Sequence, residues 1–177
     1  YCDVFSRLAM ENQDKFDKYL KDHDIVFEVR VTDYLYENNM DKRGFSRMGA
    51  EAIACATEQN RFWDYYHQAI RRLWQDYHSK GIGSSKNAPA IKDLTPAYWE
   101  SIAKDVKLDD SFKTCLSEHK MLETVKQNTA DATTLMLRSN LGGMPSFKFN
   151  NFASSGFDTN WDYSYVERYL AAGLDKK

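Results

Sequence analysis

No run of eighteen apolar residues occurs in this 177-residue chain, so no segment reads as a membrane-spanning helix. An excess of either charge is missing too: 24 Lys and Arg stand against 26 Asp and Glu, a formal net charge of −2. That excludes the basic footprint of a nucleic-acid binder, and no acidic tail asks for a cationic partner. Cysteine is scarce, at three residues. His23, His67, His78 and His119 do not fall beside those cysteines at zinc-ligand spacings, so no metal is expected. Phosphate-cradling loops are lacking, since Gly81-Ile82-Gly83-Ser84 sits in a linker and not after a strand; no cofactor is expected. There is no internal repeat and no low-complexity tract. No leader peptide is visible, and Tyr1-Cys2-Asp3 reads as mid-protein sequence.

What is present is a core. Hydrophobic residues make up 42% and aromatic residues 14%, enough to bury an interior and to argue against wholesale disorder. The length suits one domain, or one core domain carrying an insertion.

Residues 3–22 read as an amphipathic helix, with Val4, Phe5, Leu8, Phe16, Tyr19 and Leu20 on one face. Ile25 to Thr32, rich in β-branched residues, reads as a buried strand. After Asp33 a polar stretch forms a loop that Gly44 closes. Helical periodicity then runs from Phe45 to His78, with a bend near Gln59-Asn60, and residues 80–95 form a surface connection. Thr95-Pro96 opens another helix, Thr95 as N-cap and Pro96 where its missing N–H costs nothing. A short helix carries Phe112, Cys115 and Leu116, and a longer one spans 120–139 with Leu122, Val125, Ala132, Leu135 and Met136 facing inward. The chain ends with a Gly-Gly-Met-Pro turn, a hairpin of Ser146–Phe149 and Phe152–Ser154 about Asn150-Asn151, and a helix from Tyr163 closed by Gly173.

A lone early strand and a late hairpin must satisfy their backbones. The expected fold is therefore α/β: one mixed sheet flanked by helices, with a helical subdomain inserted at 45–118 between core parts at 1–44 and 119–177. One further strand before Tyr1 would complete a four-stranded sheet.

Two positions carry candidate chemistry. Cys2 stands at the start of a helix, where free N–H groups and the helix dipole favour the reactive thiolate. Pro145 follows Gly142-Gly143-Met144 and leads a strand; it is either an ordinary strand-leading proline or the centre of a cis-proline loop. Cys55 and Cys115 lie on two helices of the insertion, and the residues alone leave open two separate buried thiols or one structural pair. The aromatic run Phe62-Trp63, Tyr65-Tyr66, Trp74 and Tyr77 is read as helix core, with some rings lining a groove.

The order of elements, together with three motifs, resembles the DsbA-like thiol–disulfide oxidoreductases of the thioredoxin superfamily across nearly the whole chain. Tyr1-Cys2-Asp3-Val4-Phe5 looks like the end of C-P-Y-C-x-x-F. Ala54 to Tyr65 is similar to the family's small-residue helix followed by Q-G-K-F-W-x-Y/M, and Gly143-Met144-Pro145-Ser146-Phe147 matches G-x-P-[ST]-[FI]. The resemblance implies a thioredoxin-like sheet. It makes Cys2 the resolving cysteine, with the nucleophilic cysteine two residues before Tyr1. It makes Met144 and Pro145 the loop that offers its backbone to an extended substrate, although Met144 departs from the Thr or Val often found there. It also implies that Cys55 and Cys115 form a structural disulfide, as in some cell-envelope members. Such a pair stabilises by roughly 4 kcal/mol in the chain-entropy model.

The activity implied is oxidation of exported proteins through a mixed disulfide, in the periplasm or cell envelope, with or without an anchor in a preceding segment. The partners implied are cysteine-containing client polypeptides and a membrane or soluble redox partner for recycling; the protein is expected to be a monomer. Two other readings stand beside it: a non-catalytic thioredoxin-fold peptide-binding or chaperone protein, and a glutathione-using DsbA-like transferase or isomerase. The residues before Tyr1 separate the three: Cys-x-x-Cys, no cysteine, or Ser in place of the first Cys.

Overall fold

The computed structural model describes residues 10–83, 88–144, 146–150, 152–155 and 163–174. The chain is mostly helical. Helix α1 spans Gln13–Asp22 and short α2 Tyr34–Glu37. Helix α3 (Phe45–Cys55) runs through a 3-10 turn, Ala56–Gln59, into α4 (Phe62–Asp76). Then come α5 (Pro96–Asp105), α6 (Ser111–Ser117) and α7 (Leu122–Ser139). Strands β1 (Ser146–Phe149) and β2 (Phe152–Ser155) precede α8 (Tyr163–Leu174).

Local signals explain most boundaries. Gly44, at φ +73°, supplies the left-handed residue ahead of α3. Asn60, at φ +55°, turns the chain between the 3-10 turn and α4, where the bend was expected. Thr95 holds the N-cap position of α5 with extended dihedrals and Pro96 follows it, although the threonine hydroxyl makes no cap hydrogen bond. Asn140, also left-handed, ends α7.

The expected thioredoxin-like mixed sheet is not formed. Among the described residues the only sheet is the antiparallel hairpin β1–β2, which pairs Phe149 with Phe152 across a two-residue turn. Ile25 to Thr32 is extended, and its burial alternates as a strand's would, with Val26 92% exposed. It makes no ladder there. Phe27 packs against α1 and α4, while Val29 and Val31 pack on the helical core. The Val31 carbonyl accepts from Asn128 Nδ2 at 3.2 Å, and the Asp33 N–H donates to Thr129 Oγ1 at 3.0 Å. The period-2 pattern thus records a half-buried extended segment docked on helices. Alternation in sequence cannot tell that from a paired strand.

Two apolar clusters divide the interior. The larger is built from α3 to α6, with Tyr65, Leu73, Trp99, Ile102 and Phe112 nearly or wholly closed to solvent. Its Tyr65 hydroxyl donates to the Trp99 carbonyl at 3.0 Å. The smaller joins the two ends of the chain: Phe16, Tyr19 and Leu20 of α1 with Phe27, Phe147 and Phe149, and Val166, Tyr169 and Leu170 of α8. Ala50, Ala54 and Val125 link α3 to α7, with Val31 against them.

Asp33 ties these parts together. It is fully buried; its carboxylate accepts from Arg47 Nε of α3 at 2.7 Å and from Thr129 Oγ1 of α7 at 2.6 Å. Arg47 also pairs with Glu37 and lies 3.9 Å from the Tyr36 ring centroid. Asp33→Asn removes the charge but not the shape, leaving a guanidinium with one carboxylate fewer. It is expected to lower stability by about 3 kcal/mol in urea unfolding, with an unchanged m-value.

Gly173 does not close α8 but lies inside it. A Cβ there would come within 2.0 Å of Phe149 Cδ1, so the missing side chain lets α8 press against β1. A helical Gly→Ala change ordinarily gains about 1 kcal/mol. Here the sign reverses: Gly173→Ala is expected to lose about 1–3 kcal/mol by overpacking. Adding Phe149→Leu should recover part of that loss, measured by thermal unfolding of the single and double variants.

Candidate functional site

Helix α1 and strand β1 contribute side chains to the smaller cluster. Helix α1, which follows Cys2 in sequence, shares that cluster with β1, which follows Met144-Pro145 directly. Phe16 meets Phe27 edge to face at 5.0 Å, and Phe147 meets Tyr169 at 5.6 Å. Cys2 and Pro145 themselves lie outside the described residues, and so do Val4, Phe5 and Leu8. Met144 is half-buried in the turn before β1. Ser146 Oγ donates to the Gly143 carbonyl at 2.7 Å across that turn.

Cys55 and Cys115 are joined in a disulfide, with their Cα atoms 5.9 Å apart. It links the last residue of α3 to the middle of α6. The residues are 1% and 0% exposed, packed in the larger cluster. Exchange requires a thiolate to approach a sulfur, and burial denies that approach. The pair is therefore a staple rather than an exchanging centre.

A second link lies one helical turn away. Glu51 stands four residues before Cys55 and is 1% exposed; His119 stands four residues after Cys115. His119 Nδ1 lies 2.9 Å from Glu51 Oε2. Disulfide and carboxylate–imidazole contact thus hold the same two chain segments at successive turns. This pair was missed in the sequence. Its signal was a lone acidic residue inside Gly49-Ala50-Glu51-Ala52-Ile53-Ala54, a stripe otherwise free of charge.

Trp63 and Tyr66 of the aromatic run line a cavity of about 240 Å³ between α1 and α4, and Phe16 and Phe27 complete its ring-bearing wall. Tyr65 and Tyr77 are buried in the helical core. No group of three or more His, Cys, Asp or Glu among the described residues is arranged to hold a metal ion, and no described helix is long and apolar enough to cross a membrane.

No protein-family model, curated protein or solved structure matches the chain.

Alkylation of the denatured, unreduced protein should leave Cys55 and Cys115 unmodified. The double variant Cys55→Ala/Cys115→Ala should be less stable by up to about 4 kcal/mol, given the sequence separation of 60 residues. Free labelling of both cysteines would dismiss the bond.

Proposed function

We propose that the chain is a thiol–disulfide oxidoreductase that oxidises the cysteines of exported polypeptides. The observation that supports this reading is that α1, which comes after Cys2 in sequence, and β1, which follows Met144-Pro145, share one cluster. The motifs at Tyr1–Phe5, Ala54–Tyr65 and Gly143–Phe147 support it. The reading requires Cys2 to lie against the Met144-Pro145 turn, and needs no mixed sheet.

The chemistry balances as two exchanges. A client thiolate attacks the sulfur of the cysteine two residues before Tyr1, and the bond from that sulfur to Cys2 breaks, leaving Cys2 as the thiolate. A second client thiolate then attacks the client's own sulfur in the mixed disulfide. The client leaves with its disulfide, the enzyme holds two thiols, and a separate redox partner takes the two electrons. A thiol at a helix start, which is where the sequence pattern puts Cys2, is favoured as a leaving thiolate by the helix dipole and free N–H groups. The Met144-Pro145 turn presents backbone groups to the extended client. A buried staple between Cys55 and Cys115 fits an oxidising compartment such as the periplasm or cell envelope.

The test uses the encoded polypeptide with the residues that precede Tyr1. The wild type should oxidise a reduced dithiol peptide. Cys2→Ser, which has no active-site disulfide to give, should accumulate a mixed disulfide when its remaining thiolate attacks the oxidised form of that peptide and Cys2 is not there to release it, seen as a reductant-sensitive mass increase. Absence of that adduct, or of a cysteine two residues before Tyr1, would overturn the proposal.

A further inference from the structure

The cavity between α1 and α4 is built like a receptor for a small cation. Phe16 and Leu20 of α1, Phe27 of the extended segment, and Trp63, Tyr66 and Ile70 of α4 form its walls. Four of these six are aromatic and lie in sequence around the space: Phe16 to Phe27 at 5.0 Å, Phe27 to Trp63 at 6.0 Å, Trp63 to Tyr66 at 5.8 Å. Trp63 remains 41% exposed, an unusual cost for an indole unless something covers it. Three polar side chains also line the space: Gln13, Asp17 and His67.

The charges are asymmetric. Asp17 accepts a hydrogen bond from Gln13 Nε2 at 2.7 Å but forms no ion pair among the described residues. His67 is held below the ordinary imidazole value, chiefly by burial, so it is neutral at pH 7 and brings no positive charge. Among the charges near His67, Asp17 acts to raise it most, Arg71 lowers it and Asp64, paired with Arg61, raises it; of these only Asp17 lines the cavity. What lines the cavity is four aromatic rings, whose faces carry a negative quadrupole, and the carboxylate of Asp17, bonded by the neutral Gln13. Both attract a cation and repel an anion, and the apolar walls favour one with a hydrocarbon body.

We propose that this cavity binds a small organic cation with an apolar or aromatic body, its hydrocarbon against Phe16, Phe27 and Trp63 and its ammonium group facing Asp17. The proposal does not rest on the redox reading, and Met144 is not among the residues that line the cavity.

Phenethylammonium serves as the probe, with phenethyl alcohol as the neutral isostere and phenylacetate as the anion. Titration calorimetry of the whole chain at low salt should give saturable binding of the cation. The alcohol should bind about tenfold more weakly, and the anion more weakly still. Asp17 is exposed, so Asp17→Asn keeps the fold, which unfolding curves verify; it should bring the cation down to the affinity of the alcohol. Trp63→Phe, which keeps a smaller ring, should weaken the cation by a few-fold. Equal affinity for cation and alcohol, no effect of Asp17→Asn, or no saturable binding in the millimolar range would each overturn the proposal.

Discussion

The buried carboxylate of Asp33 is the constraint on which the arrangement depends. A charge removed from water must be met by partners, and Asp33 finds them on two separate helices, Arg47 of α3 and Thr129 of α7. The extended segment before it is thereby fixed at its end, with Val31 held over the contact between those helices. Asn128 adds a bond to the preceding carbonyl. Because the three groups come from residues 33, 47 and 129, the charge is fully met only when segments nearly a hundred residues apart have come together. Local helix propensity alone would not bring these segments into register.

The rest of the architecture follows from two cores of different character. The larger is made of consecutive helices, closed by the Cys55–Cys115 staple and the Glu51–His119 contact one turn away. The smaller is made by the two ends of the chain and is almost wholly aromatic and aliphatic. Between them runs the aromatic-walled cavity, where Phe27 belongs to one core and Trp63 stands beside the other. The smaller core contains close approaches such as that of Gly173 to Phe149.

Much of the helical order was legible. The stripe from Met48 to Ala56, the bend at Asn60 and the Thr95-Pro96 start are local features, fixed by periodicity, by a left-handed residue and by a ring without an N–H. Even the short hairpin was announced by alternation about Asn150-Asn151. The mixed sheet was misread because Ile25 to Thr32 carries the composition and alternation of a strand while its neighbours are helices; pairing is a tertiary property. Short α2 comes just before the polar stretch at 37–44 and has too few residues to show a period; Arg47 holds it through Glu37 and Tyr36. Buried Glu51, Asp33 and Thr129 were invisible for a similar reason. A polar residue enters a core only where a distant partner meets it, and no window of sequence contains both.

The staple has a topological consequence. The whole connection from α4 to α5 lies inside the covalent loop it closes, so a single protease cut there would not release a fragment. The nicked protein would run as two pieces only after reduction. Since α3 and α4 would stay tethered to α5 and α6, it could refold as an effectively intramolecular system.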